Sequence, residues 1–455
     1  MSLLADFDII ETMELPSQFI KKYQALLGDE FKTFIETFDD SPVPAFRVNP
    51  LKQGKQSFSD PIPNTLWGYY GKISGKSIEH ATGLVYSQEP AAQMVGQIAQ
   101  PKEGMKVLDL AAAPGGKTTH LLSYLNNTGL LVSNEINTKR SKILVENVER
   151  FGARNVLVTN ESAERLASTF KDYFDMIVFD GPCSGEGMFR KDPDAVKYWH
   201  QDYPKELSQL QKSILADAVT MLAPGGELIY STCTWSPEEN EGVVNWLVTS
   251  FDYLELVPIA AVNGMTPSPL LPGTVRMYPH HFTGEGQFVA KLKDTRTSSS
   301  LSKSQGRRKQ KQKRARLTDE QQGLWSSFKN EVLQSDLGTN LQTFGDNLYD
   351  LPDGLPDLSQ LKIARKGLHL GTFKKKRFEP SFALGLALSP EEVSQKIEIG
   401  IEQFKDYVAG NPLTLEKAYA NGWYQVVVNG NGLGFAKVVG SQLKNYYPKG
   451  LRYKA

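Results

Sequence analysis

Residues Asp109 to Leu122 read DLAAAPGGKTTHLL. The apolar run KVLDL (106–110) leading into them reads as a strand, and GKTTHLLSYL (116–125) reads as a helix. Between the two lie Ala111, Ala112, Ala113, Gly115 and Gly116, small enough to let the backbone approach a ligand, with Pro114 stiffening the turn. The loop has neither the G-x-G-x-x-G of a dinucleotide site nor the G-x-x-x-x-G-K-[ST] of a P-loop.

Outward from this loop the strand, loop, helix alternation repeats. GLLVSNE (129–135), NVLVTN (155–160), FDMIVFDGP (174–182) and GGELIYSTC (225–233) read as strands. NTKRSKILVENVERFG (137–152) is a helix closed by Gly152 at C′, and KELSQLQKSILADAVTML (205–222) is another. SPEENEGVVNWLVTSF (236–251) is predicted to be a helix with Ser236 as N-cap and Pro237 at N1. RMYPHHFTGEGQFVAKL (276–292) reads as a closing pair of extended segments. The pattern predicts an α/β fold, Rossmann-like, with a mostly parallel sheet and helices on both faces. Ligands of such sheets sit at the carboxyl ends of the strands.

The chain has 455 residues, 40% of them hydrophobic, which suffices for several domains. Its 51 basic and 51 acidic residues cancel, so only the distribution of charge points to a partner. Two cysteines are too few for a disulfide scaffold and suit a reducing, cytoplasmic compartment. The first residues are acidic where a signal peptide is basic, and no apolar run reaches the length of a membrane span. LPSQFIKKYQALLGDEFKTFIETF (15–38) reads as one or two helices, and VPAFRVNPLK (43–52) as a short strand. Arg47, Asn49 and Lys52 on it could meet a phosphate backbone or belong to a solvated loop. From Lys303 to Arg316, eight of fourteen residues are basic and none acidic, the composition of a linker that meets polyanions. Beyond it, basic residues interleave with aromatics (362–388 and 423–455), with a hairpin turn at NGNG; such rings suit RNA bases or a small β core.

Polar groups recur at the strand tips. Asp109 can accept from an amine, and Glu135, twenty residues beyond Gly115, is placed for ribose hydroxyls. Asn160, with Glu161, Ser162 and Glu164 after it, and Asp180 end the next strands. This crevice suits an adenosine-containing ligand, either a dinucleotide or S-adenosylmethionine. Cys183 in DGPCSGEGMF and Cys233 in YSTCTWSPEEN follow two strand ends on that side, fifty residues apart and able to face one pocket. Neither has a C-x-x-C or close histidine partner, so no metal site is expected. Thiols beside a methyl donor suit cytosine C5 methylation: a thiolate adds to C6, C5 becomes enamine-like and takes the methyl, then C5 loses its proton and the thiolate leaves. Asp180 is placed to assist at N3, and a helix starting near Pro237 would help ionise Cys233.

DLAAAPGGKTTHL, DGPCSGEGMFRKDP and YSTCTWSPEENE closely resemble motifs of the RNA (cytosine-5) methyltransferases of the Sun/Nop type. FRVNPLK, GLVYSQEPAAQM and the 276–292 run fit the same family. RKGLHLGTFKKKRFEPSFALGL and LKNYYPKGLR look like its bacterial RsmF branch, with a PUA-like C-terminal region. The resemblance implies S-adenosylmethionine as cofactor, Cys233 as the nucleophile and Cys183 as the residue that assists breakdown of the adduct. It maps donor binding onto Ala111 to Lys117, Glu135, Asn160 and Asp180, and catalysis also onto Asp180 and Lys117, with Lys117 contacting the target base. It implies 16S ribosomal RNA or the small subunit as partner and no membrane; a monomer is expected, although the sequence does not read out the oligomeric state. The family often has Cys where this chain has Ala111, and Asp where it has Asn160. The expected division is 1–95 for an N-terminal RNA-binding segment, 96–294 for the methyltransferase domain and 295–317 for the polybasic linker. A connecting RNA-binding region (318–379) and the PUA-like RNA-binding domain (380–455) follow. An NAD-linked oxidoreductase and a non-catalytic RNA-binding assembly factor are the alternatives on this fold.

Overall fold

The computed structural model describes residues 14–54, 57–297 and 317–454. The acidic start and the run from Lys303 to Arg316 lie outside the described residues. The N-terminal unit begins with α1 (Ser17–Leu27) and α2 (Phe31–Glu36). A three-stranded sheet follows, with β1 (Ala45–Val48) between β2 (Gly68–Tyr70) and β3 (Val85–Ser87), and α3 (Ile78–Ala81) precedes β3.

The catalytic sheet starts after α4 (Pro90–Ala99). Its elements are β4 (Lys106–Asp109), α5 (Gly116–Leu125), β5 (Leu130–Asn134), α6 (Thr138–Phe151), β6 (Val156–Thr159), α7 (Ala163–Ala167), β7 (Phe174–Asp180), α8 (Tyr203–Met221), β8 (Leu222–Thr232), α9 (Glu241–Ser250) and β9 (Leu254–Val257), then β10 (Thr266–Pro267), β11 (Val275–Met277) and β12 (Gln287–Asp294). Strands β6, β5, β4, β7 and β8 are mutually parallel in that order. Strand β12 continues the sheet antiparallel to β8, so the sheet is mixed. Every residue of β5 and β6 is buried, as expected for parallel strands covered on both faces. One face packs Val107, Val132's neighbour Leu131 and Val178 against α4 to α6; the other packs Leu108, Ile177 and Tyr230 against α8 and α9. Each fully buried Leu, Ile or Phe there contributes about 1.5–3 kcal/mol of transfer free energy. Chain order reverses beside β4, which has β5 on one side and β7 on the other, and opens a crevice at the strand tips.

The C-terminal part begins with α10 (Asp319–Val332), β13 (Leu341–Phe344) and β14 (Asn347–Asp350). Next comes β15 (Ile363–Arg365), which joins the large sheet antiparallel to β6, so part of the connecting region completes that sheet. Strands β16 (Leu368–Lys374) and β17 (Arg377–Pro380) and helix α11 (Phe382–Ala387) follow, with Arg154 donating to Ala387 O and Glu392. A five-stranded sheet made from β18 (Lys396–Glu398), β19 (Leu413–Thr414), β20 (Gly422–Val428), β21 (Asn431–Val439) and β22 (Gln442–Lys444), with α12 (Ile401–Ala409), closes the chain. Asn429 and Gly430 turn the β20–β21 hairpin with φ of 47° and 75°, the two left-handed positions of a type I′ turn. Its rings Tyr407, Tyr424, Phe435 and Tyr447 are buried, whereas Tyr446 is exposed beside Trp423.

Arg47, Asn49 and Lys52 neither face a phosphate backbone nor lie in a solvated loop. Arg47, 1% exposed, donates to Gln88, Gly116 O and Thr119. Asn49 bridges Gly83 O and Phe151 O, and Lys52 donates to Leu386 O. They are internal struts, because β1 lies against the catalytic domain rather than on the surface. The predicted helix from Pro237 is also corrected: α9 starts at Glu241. The Asn240 side chain accepts from Thr232 Oγ1 and donates to Thr234 O, holding φ −100° and ψ −96° and breaking the helix before it starts.

Candidate active site

The small-residue loop is held from two sides. Arg140 Nη2 donates to Ala113 O and Asn147 Nδ2 to Pro114 O, each at 2.6 Å, so α6 pins the loop. Thr118 Oγ1 donates to Asp109 Oδ2 at 2.6 Å, anchoring α5 to β4. Asp109 is sealed from solvent, and burial pushes its carboxyl up to about 7. Its Oδ2 fastens the loop, while its Oδ1 has no partner among the described residues. The peptide between Ala113 and Pro114 is cis, and Gly115 takes φ 120°. Helix α5 has no side-chain cap, so the amides of its first turn remain for a ligand.

Glu135 is buried just after β5, accepting from Asn137 N at 2.8 Å, with Arg140 3.6 Å from its other oxygen. Asn160 follows β6 instead of ending it. Its Nδ2 donates to Glu135 O and Ile136 O, and its Oδ1 accepts from Thr138, so its amide shapes the Glu135 turn. Glu164 lies apart, exposed on α7. The cofactor's site can be judged by its donor set: a carboxylate at the second strand tip, uncapped helix amides, and a loop of small residues. These fit an adenosyl ligand bearing a ribose and a carboxylate.

Asp180 ends β7, with Oδ1 accepting from Ser231 Oγ at 2.7 Å and Gln287 Nε2 at 2.9 Å. Its Oδ2 lies 2.5 Å from Lys117 Nζ, on the first turn of α5. Burial works against the Lys117 charge, but Asp180, helped by Cys233 and Glu89, more than offsets it and raises Lys117 above the ordinary lysine range.

Cys183 and Cys233 face each other with sulfurs 3.1 Å apart, and Cys233 N donates to Cys183 Sγ at 3.3 Å. Both are free, half-buried thiols. The hydrogen bond to Cys233, then burial, then the nearby negative groups hold the Cys183 thiol well above its usual range. Gly187 N donates to Cys233 O and Gly286 N to Gly187 O, both at 2.9 Å, stitching the two cysteine loops together. A Cβ at Gly187 would lie 2.5 Å from Gly286 Cα and 2.9 Å from Cys233 O, so only glycine fits.

Two buried carboxylates brace these loops, and the sequence reading missed both. Glu239 accepts from Ser184 N and Gln211 Nε2, each at 2.9 Å, and from Ser184 Oγ; burial raises it to about 7. Glu186 accepts from Thr234 Oγ1 at 2.6 Å, Trp199 Nε1 at 2.9 Å, Lys22 Nζ at 3.1 Å and Tyr23 OH. Lys22 and Tyr23 lie on α1, so the N-terminal unit reaches the catalytic loops. Their one sequence signal is position, three and six residues past a cysteine.

With this geometry in place, comparison with known proteins fixes the family. The 16S rRNA methyltransferase RsmB/F profile matches residues 96–293. The N-terminal domain of 16S rRNA methyltransferase RsmF matches 15–90, the RsmF first C-terminal domain 327–388, and the RsmF PUA domain 394–453. Ribosomal RNA small subunit methyltransferase F of Shewanella oneidensis is 32% identical over 437 residues, 90% of each chain. The chain belongs to the RsmF family of 16S rRNA methyltransferases. The Escherichia coli RsmF relative is 30% identical over 382 residues, covering 83% of this chain and 80% of its own. A solved methyltransferase homologue from Pyrococcus horikoshii superposes with TM-score 0.54 at 28% identity, over 62% of this chain and 96% of that one. NSun6 from the same organism, 21% identical over 62% of this chain and 99% of that one, shares the fold with TM-score 0.54. Among the described residues no helix is long and apolar enough to cross a membrane.

Proposed function

We propose that this methyltransferase transfers a methyl group from S-adenosylmethionine to C5 of a cytosine in 16S ribosomal RNA, through a covalent bond between Cys233 and C6. The observation that carries the reading is the pair of sulfurs 3.1 Å apart at the crevice that holds the Lys117–Asp180 ion pair. When bound, S-adenosylmethionine supplies the electrophilic methyl that C5 takes up. Residues 111–117 cradle it, Glu135 holds the ribose, and Asn160 shapes the adenine side through the Glu135 turn.

The protein's own steps follow from position. Cys233 loses its proton to solvent and its sulfur bonds to C6, while the C5–C6 π pair shifts onto C5, shared through C4 with N3, and makes C5 nucleophilic. The Lys117 ammonium stabilises the negative charge developing around N3 and O2, and Asp180, fixed by Ser231 and Gln287, holds that ammonium in place. After methylation, water takes the C5 proton, the C–H electron pair re-forms the C5–C6 double bond, and the S–C6 pair returns to Cys233 as thiolate. Cys183, touching that sulfur, assists this elimination. The target base has to be unstacked to reach the crevice, and the N-terminal and C-terminal units flank it to hold the RNA.

The test is incubation with methyl-labelled S-adenosylmethionine and 16S RNA or small subunits, with nucleoside analysis for 5-methylcytidine. Cys233→Ala should abolish product, and Cys183→Ala should accumulate a denaturant-resistant protein–RNA adduct. Product formation by Cys233→Ala, or free release of RNA by Cys183→Ala, overturns the assignment.

A further inference from the structure

The turn between α1 and α2 places Glu30 against two adjacent histidines of the segment that leads into β12. Glu30 Oε2 lies 3.2 Å from His280 Nε2 and 3.0 Å from His281 Nε2. The cluster joins positions 250 residues apart and is outside the cysteine crevice. From the sequence, a metal is sought only at the two cysteines, and none is expected. The fold brings Glu30 to the two histidines from the N-terminal unit.

We propose that Glu30, His280 and His281 form a binding site for one borderline divalent transition-metal ion, of which Zn2+ is the reference. Two imidazoles and one carboxylate are a donor set that such ions favour, leaving a fourth position for water. Bonds of 2.0–2.1 Å to a tetrahedral ion put neighbouring ligand atoms roughly 3.3 Å apart, so the two Glu30–histidine separations need to open by only a few tenths of an ångström, and all three ligand atoms lie within 4.8 Å of one another. The geometry comes from the backbone: residues 279–281 form a turn in which His281 N donates to Tyr278 O at 3.0 Å. That turn sends two consecutive rings, centroids 4.1 Å apart, to one side, where a strand would send them to opposite faces. The His280 ring is walled by Phe34 and Tyr278, and its Nδ1 has no partner among the described residues, so nothing fixes its tautomer against presenting a lone pair at Nε2. The His281 side chain is 40% exposed and that of Glu30 56%, which leaves a path for the ion and its water. A bound ion would tie the α1–α2 unit, which holds Glu186 through Lys22 and Tyr23, to the catalytic domain.

The test uses the full-length protein stripped by chelator, titrated with Zn2+ against a chromophoric competitor, with Co2+ as a spectroscopic substitute. Because Cys183 and Cys233 could also bind a soft ion, the same titrations are run on Cys183→Ala/Cys233→Ala. The expected result is one Zn2+ per chain, a raised unfolding temperature, and a tetrahedral Co2+ spectrum without thiolate bands, all retained without the cysteines. Glu30→Gln and His281→Ala, at exposed positions that should leave the fold intact, should each weaken binding beyond about 100-fold, the upper range for losing only an outer-shell partner. No saturable binding, binding lost with the cysteines, or binding unchanged in both exposed variants overturns the proposal.

Discussion

Replacing Glu186 by Gln tests whether the catalytic loops depend on the N-terminal helix. The buried carboxylate takes four donors, two on each oxygen, which fills the lone pairs of a carboxylate. Oε1 serves Lys22 and Trp199, which can only donate, so the new amide must turn its nitrogen towards Tyr23 and Thr234. Both hydroxyls then have to reverse and accept. A hydrogen bond to a charged group is worth about 1.5–3 kcal/mol and a neutral one about 0.5–1.5, so each of four bonds loses about 1 kcal/mol. The relief of desolvating a neutral group offsets part of this, leaving a loss of about 2–4 kcal/mol. Glu186→Ala should cost more, because it strands buried donors at about 1–3 kcal/mol each. The assay is urea unfolding followed by tryptophan fluorescence, since Trp199 and Trp235 lie in the same aromatic cluster as Tyr23 and Phe34. Because Thr234 adjoins Cys233, methyl transfer should fall in kcat with little change in donor affinity. A stability change below about 0.5 kcal/mol in Glu186→Gln, or lost stability with unaltered kcat, would refute the reasoning.

Other outcomes follow from the buried titrating groups. Glu239 is raised by burial to about 7 in the folded chain and is near 4.3 when unfolded, so the folded state holds the extra proton between these values. Its contribution is therefore complete below about pH 4.3 and declines as pH rises through 7, by up to about 4 kcal/mol. Glu239→Gln should make stability less dependent on pH between 5 and 8, and part of the slope that remains belongs to Asp109, which burial shifts the same way; an unchanged slope in denaturation series would count against this. Alkylation requires the thiolate, and Cys183 is held protonated chiefly by its hydrogen bond to Cys233. Its labelling rate, read by mass spectrometry, should still be climbing above pH 9, and in Cys233→Ala the curve should move to lower pH; a plateau by pH 8 in the native chain contradicts the geometry.

The parallel core was legible because strands covered on both faces are written as unbroken apolar runs, as at LLV (130–132) and VLV (156–158). The paired cysteines were legible because thiols among Gly, Pro, Ser and Thr after strand tips have no packing role to explain them. Three things were not. Glu186 and Glu239 look like solvated loop carboxylates until four donors and a backbone amide are seen to converge on them. Ser236 and Pro237 carry a strong helix-start signature, but the Asn240 side chain binds backward to Thr232 and Thr234 and wins locally. Strand β15 hides in a basic segment because its pairing with β6 depends on an edge formed some two hundred residues earlier.

The late start of α9 alters how the thiols must be activated. With residues 237–240 in a turn before Glu241, the helix does not start where the positive potential was invoked from the sequence. The charges that do reach the sulfurs lie on opposite sides of the pair. Lys117, kept cationic by Asp180, interacts with Cys233, whereas Glu239 and Asp180 act on Cys183 and disfavour its ionisation. In that field the proton stays on Cys183. This asymmetry supports the proposed division of labour on electrostatic grounds, independently of motif order. It also makes Lys117 matter to the nucleophile as well as to the base: a neutral side chain there removes the cation that faces the attacking sulfur while leaving the Cys183 thiol in place.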